Sequence, residues 1–172
     1  MNKNEKRVHA LTCAAFAIYL LLLVWIVVFK TDIVGVLEER GARTPVNLVP
    51  FGASVINNGS VNTGEIIENA LVFIPLGLFM AIFSSRGGVW KAALLGLLSS
   101  LVFEAVQYAF ALGRADITDV ITNTLGAFMG ALLWLLIRRI FKRRAEAVTS
   151  IAVLCAEALF IGFAILLITA NR

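Results

Sequence analysis

The chain has 172 residues, of which 60% are hydrophobic and only 15% charged, with a net charge of +4. Soluble domains are usually about half apolar and a quarter charged, so this composition excludes an ordinary water-soluble enzyme. The basic excess does not mark a nucleic-acid partner, because most Lys and Arg residues flank apolar runs, where they orient membrane helices.

Each apolar run approaches the roughly 20 residues needed to cross a bilayer. None alternates in the manner of the about ten-residue strands of a membrane barrel. The sequence therefore predicts an all-α, polytopic membrane bundle of five transmembrane helices, forming a single domain over 1–172. The expected helices span about 10–29, 66–83, 89–112, 116–140 and 149–169.

The first run, Ala10 to Phe29, follows the short basic flank MNKNEKRVH. Its apolar core is too long for a signal peptide, and no A-x-A-like cleavage site closes it. Lys30 to Gly64 is the longest polar connection, broken by Pro45, Asn47, Pro50 and Gly52. Its PVNLVPF segment is apolar for a loop and is expected at the membrane interface. The second helix carries Glu68 and Asn69 near its start and Pro75 and Gly77 in its middle, where proline favours a kink. Gly113 is the expected stop of the third helix. The cluster RRIFKRR ends the fourth, and the fifth contains Glu157. Cys13 and Cys155 lie far apart in apolar runs and read as buried free thiols.

Alternating crossings collect Lys3, Lys6, Arg7, Arg86, Lys91, Arg138, Arg139, Lys142, Arg143 and Arg144 on one side. Lys30, Arg40, Arg43, Arg114 and Arg172 fall on the other. The positive-inside rule then places the N-terminus in the cytoplasm and the C-terminus outside.

The stretch Leu101 to Gly130 sets Glu104, Gln107, Arg114, Asp116, Asp119 and Asn123 into this apolar background. A carboxylate at mid-bilayer costs about 2.5–3.5 kcal/mol on insertion scales, so such a concentration points to a use. Gly96, Ser100, Glu104, Gln107 and Ala111 recur at spacings of four and three and share one face of the third helix. Asp116, Asp119, Asn123, Gly126 and Gly130 do the same on the fourth. Small residues in such stripes let helices approach closely in lipid, so packing of the third helix on the fourth is the plainer reading of the glycines. By helix rise, Glu104, Asn123, Glu68 and Asn69 all fall in the outer half of the membrane, and Glu157 does not. The segment EIIENAL, Glu65 to Leu71, resembles DVITNTL, Asp119 to Leu125. A parallel internal repeat of this kind predicts similar depths for Asn69 and Asn123.

Arg114 suits phosphate or carboxylate; an ion pair with Asp116, Asp119 or Glu104 is the alternative. If the protein is an enzyme, Glu104 and Asp119 are the candidate acid and base. The sequence has no Ser-His-Asp set, no HExxH motif, no metal-spaced Cys/His cluster and no phosphate-cradling glycine loop. No metal site and no cofactor are therefore expected.

NLVPF, ENALVFIPLGLF, the pair Glu104 and Gln107, and GRADITDVITNTLGAFMG stand in the order seen in VanZ-like membrane proteins. The stretch from about 47 to 130 thus resembles that family. The resemblance implies a multi-pass protein of the bacterial cytoplasmic membrane and, through the family's namesake, low-level resistance to the glycopeptide teicoplanin. It carries over Asn47, Pro50, Phe51, Asn69, Pro75, Gly77, Glu104, Gln107, Arg114, Asp116, Asp119, Asn123 and Gly126 as motif residues, with no catalytic role attached. Together with the outward polar cluster, it leads to an expected binding set of Glu104, Gln107, Arg114, Asp116, Asp119, Asn123, Asn69, Glu68 and Asn47. The expected partner is a membrane lipid or a lipid-linked cell-wall precursor. An intramembrane enzyme and a non-catalytic scaffold are the competing readings.

Overall fold

The structure, a computed structural model, describes residues 2–29, 46–52, 63–84, 88–110 and 115–170. Arg114, Gly113, Arg86, Lys30, Arg40, Arg43 and Arg172, which entered the expectations above, lie outside the described residues. Among the described residues five α-helices follow in order: α1 (Lys3–Phe29), α2 (Thr63–Phe83), α3 (Gly88–Phe110), α4 (Ile117–Phe141) and α5 (Ala145–Ala170). A three-residue 3-10 turn, Lys142–Arg144, joins α4 to α5. The described residues contain no β-strand, and a single pair, Asn47 and Asp116, forms an isolated parallel bridge.

Helix α1 starts at Lys3, seven residues before the expected Ala10, because the polar flank caps it. Asn2 Oδ1 accepts the Glu5 amide at 2.9 Å, and Glu5 Oε2 accepts the Asn2 amide at 2.8 Å. This reciprocal box satisfies donors that a helix start otherwise leaves open. Helix α2 continues through Pro75 as one helix.

Among the described residues four stretches are long and apolar enough to cross a membrane, rather than the five separate ones expected. The last, Ile117–Ala170, is a helical run of 54 residues. No glycine or proline separates α4 from α5, so the break narrows to the 3-10 turn, with Lys142 at φ 50°. The outward side chains of these helices are themselves apolar: Leu21 is 74% exposed, Trp90 76% and Leu159 75%. Water penalises such surfaces, and hydrocarbon does not. The chain is accordingly a membrane protein. Cys13 and Cys155 are free but exposed, correcting the expectation of burial, because both lie on outward helix faces.

The chain divides into two compact units. One comprises Met1–Leu21 with Leu135–Arg172. There Thr12 Oγ1 bonds to Ser150 Oγ and to Glu146 Oε1, each at 2.9 Å, and His9 Nδ1 stands 3.6 Å from the same carboxylate. His9 faces Glu146 and Thr12 faces Ser150, so α1 and α5 run parallel.

The other unit, Leu22–Trp134, holds α2, α3, the end of α1 and most of α4. Its buried α3 face is Ala92, Gly96, Ser100, Glu104 and Gln107; the last four belong to the stripe read from the sequence, whose fifth member, Ala111, lies outside the described residues. The α4 glycines, however, face α2 rather than α3. A methyl group on Gly126 would overlap the Ala70 carbonyl, one on Gly130 the Ile74 carbonyl, and one on Gly77 the Ala127 carbonyl. Both α4 contacts advance by four residues on each helix, so α2 and α4 run parallel at backbone contact. A helical carbonyl points toward its own C-terminus, which puts Gly126 level with α2 residues two or three beyond Ala70. That offset is close to the 54 residues separating Glu65 from Asp119, so Asn69 and Asn123 stand at similar depths. Helix α3 meets α4 by another route: Gly96 lies against the Ala127 side chain, and Asn123 bonds to Ser100.

Replacing Gly126 or Gly130 by valine is expected to cost about 1–3 kcal/mol through overpacking. Gly162→Val, at a site with nothing within 4 Å, is expected to cost much less. Thermal unfolding of the three purified variants in one detergent checks the ranking.

Candidate functional site

The site begins at the start of α4. Asp116 Oδ1 accepts the Thr118 amide at 2.8 Å, making Asp116 the N-cap. The same oxygen accepts Asn47 Nδ2 at 2.9 Å. The Asn47 backbone donates to Ala115 O at 2.9 Å and accepts from Ile117 N at 3.0 Å. Phe51, at φ 59°, donates its amide to Thr118 Oγ1 at 2.9 Å. The Val46–Gly52 segment is therefore stitched to the head of α4 by both its backbone and its side chains. NLVPF and the segment 115–118, whose paired residues Asn47 and Asp116 are 69 apart in the chain, act as one piece.

Helix α3 joins through Glu104, whose Oε2 accepts the Asp116 amide at 2.8 Å. Helix α2 joins through Asn69, whose Nδ2 donates to Asp119 Oδ1 at 2.6 Å. Helix α1 joins through its last turn, where carbonyls lack helical partners: Gln107 Nε2 donates to Val27 O at 2.8 Å. The ends of α1 and α3 and the starts of α2 and α4 thus converge.

Between them lies a cavity of about 400 Å³. Its wall contains Glu65, Glu68, Asn69, Glu104, Gln107, Asp119 and Asn123, together with Ile26, Val27, Gly64, Val72 and Phe73. Phe73, one of the lining residues, is fully buried and meets Phe103 edge-on at 6.2 Å. Glu104, Gln107, Asp119 and Asn123 are all buried, at most 8% exposed.

Of the nine residues expected to bind, six line this cavity: Glu68, Asn69, Glu104, Gln107, Asp119 and Asn123. Asn47 and Asp116 do not line it; they hold the head of α4 in place. Arg114 lies outside the described residues. The candidate acid and base, Glu104 and Asp119, share the cavity, and each accepts a hydrogen bond from a neighbouring element. Glu157 belongs to the other unit; it is buried, and neither of its carboxyl oxygens has a hydrogen-bond partner among the described residues.

Sequence reasoning missed three contributors. Glu65 was visible in the repeat, where it aligns with Asp119. Thr118 occupies the second position after an N-cap and had no motif of its own. The Val27 carbonyl is a backbone group that no side-chain pattern reveals.

A family model described as VanZ/LLP1 matches residues 16–142. Protein VanZ of Enterococcus faecium is 41% identical over 121 residues, covering 69% of this chain and 70% of the relative. No solved structure matches.

Asp116→Ala is expected to cost about 0.5–2 kcal/mol as a lost N-cap and to raise amide exchange at both Thr118 and Phe51. Asn47→Ala is expected to raise exchange in Val46–Gly52 while Thr118 stays protected, because Asp116 Oδ1 still accepts its amide. Hydrogen exchange with mass spectrometry on the two variants separates these outcomes.

Proposed function

Since the chain belongs to the VanZ/LLP1 family, we propose that it acts at the outer face of a bacterial cytoplasmic membrane. There it holds the head group of an anionic lipid or lipid-linked wall precursor and so lowers susceptibility to lipid-anchored glycopeptides of the teicoplanin kind. The observation that carries this reading is the convergence of six of the expected binding residues, five of them motif residues, from three helices on one cavity. Ionisable groups in spanning segments mark ligand paths more often than plain packing positions.

The orientation is part of the proposal. The described basic residues Lys3, Lys6, Arg7, Lys91, Arg138, Arg139, Lys142, Arg143 and Arg144 belong in sequence to the start of α1, the start of α3 and the α4–α5 turn. The positive-inside rule assigns these ends to the cytoplasm. The cavity, at the opposite ends of α1 and α3, then faces outward. The Ile117–Ala170 run would extend about 80 Å at helical rise, well beyond one hydrocarbon core of about 30 Å. Its basic turn then lies at the cytoplasmic face, and α5, parallel to α1, carries the C-terminus outward.

In this reading Arg114, two residues before Asp116, takes the anionic part of the ligand, and the cavity takes its neighbouring polar groups. Binding is preferred to catalysis because Glu104 and Asp119 both serve as acceptors within the scaffold, whereas an acid/base pair needs its oxygens at the reacting atoms.

Expressed in a sensitive Gram-positive host, the protein is expected to raise the inhibitory concentration of teicoplanin severalfold and to leave vancomycin unchanged. Glu104→Gln, Asp119→Asn and Arg114→Ala, at matched membrane levels, are expected to lose the protection. Full protection by all three variants would separate the cavity from the phenotype.

A further inference from the structure

The α4–α5 turn carries more positive charge than its own helices can balance. Arg138, Arg139, Lys142, Arg143 and Arg144 fall within seven residues, and the full sequence has no Asp or Glu between Asp119 and Glu146. All five are exposed, and none of their side chains has a hydrogen bond or ion pair among the described residues. Arg138 and Arg139, in the last turn of α4, complement the negative end of that helix. Lys142, Arg143 and Arg144 directly precede α5, at a helix end that is itself positive and disfavours cations. Glu146, the acid in the first turn of α5, is already engaged by Thr12 and His9.

Helix α1 brings further cations to this level. His9 stands against Glu146 and Thr12 against Ser150, so in this parallel pair the residues before His9 run beside those before Glu146. Lys3, Lys6 and Arg7, all exposed and in the same unit, are therefore level with the turn Lys142–Arg144. Glu5, the acid among them, accepts the Asn2 amide. Basic clusters beside spanning helices attract anionic lipid head groups. Two residues inside the cluster favour a lipid over a nucleic acid. Ile140 is 61% exposed and Phe141 44%, so apolar side chains interrupt the cations. A nucleic acid offers phosphates and a base to stack on Phe141, but nothing for Ile140. A phospholipid offers a phosphate with acyl chains beneath it. The positive-inside rule asks only for an excess of charge on one side; it does not ask for cations at the positive end of α5.

We propose that segment 138–144, with the first turns of α1, holds the phosphate of an anionic phospholipid, while Ile140 and Phe141 lie along its acyl chains. Arg143 and Arg144 supply the paired N–H groups that a phosphate accepts, and the phosphate supplies the negative charge that the start of α5 lacks. This surface shares no residue with the cavity and takes its lipid whatever the cavity holds.

The test uses purified full-length protein and native mass spectrometry. The probes are phosphatidylglycerol and phosphatidylcholine of one acyl composition, and a single-stranded RNA oligonucleotide. Wild type is expected to retain phosphatidylglycerol about tenfold over phosphatidylcholine, since each cation near an anionic head group brings a severalfold gain. That preference should shrink as ionic strength rises. Lys142→Gln, Arg143→Gln and Arg144→Gln combined should bring the ratio to about one. In lipid-free detergent this triple variant should unfold no earlier than wild type, because it loses only unbalanced charge. Should it fail to fold, Lys3→Gln with Lys6→Gln reads the same ratio and should lower it severalfold. Equal retention of the two lipids by wild type overturns the proposal, as does tighter binding of the RNA. A tenfold preference that survives in both variants belongs to the cavity and also overturns it. Loss of the preference in the variants supports this surface and leaves the cavity reading as it was.

Discussion

Backbone contact between α2 and α4 is the constraint on which the rest of this structure depends. Lipid gives helices no hydrophobic reason to associate, so close packing and internal hydrogen bonds must hold them. Gly77, Gly126 and Gly130 remove the side chains that would keep the two backbones apart. At that separation Asn69 reaches Asp119 at 2.6 Å. The parallel register also brings both helix starts to the same level, and α3 closes over them through Gly96 and Ser100. The polar cavity is the space left where these starts meet the ends of α1 and α3.

The same arrangement meets a second demand of the membrane. Backbone groups at helix ends need partners where water is scarce. Asp116 serves the first turn of α4, Glu104 takes the Asp116 amide, and Gln107 serves the last turn of α1. Each of these three motif residues thus has one hand on the scaffold.

Much of this was legible in the sequence, for physical reasons. Helix spans follow from apolar length, and the α3 face follows from the spacing of Gly96, Ser100, Glu104 and Gln107, which the structure buries together. The repeat of EIIENAL in DVITNTL carried the parallel register of α2 and α4. Other features were hidden because they depend on partners distant in the chain. Spacing shows that Gly126 and Gly130 face a helix but not which one, and α2, not α3, meets them. Asn47 read as a loop breaker, and its pairing with Asp116 spans 69 residues. Net charge at RRIFKRR suggested a full break between helices, whereas the backbone spends only three residues on it.

The central claim is that a polar cavity built by these helices opens to the extracytoplasmic side. Its most direct test places a single cysteine at Glu68 or Val72, in a chain whose Cys13 and Cys155 are serine, and treats intact cells with a membrane-impermeant maleimide. The account predicts labelling at both positions before the cells are permeabilised. Labelling only after permeabilisation would place the cavity on the cytoplasmic side and contradict the account.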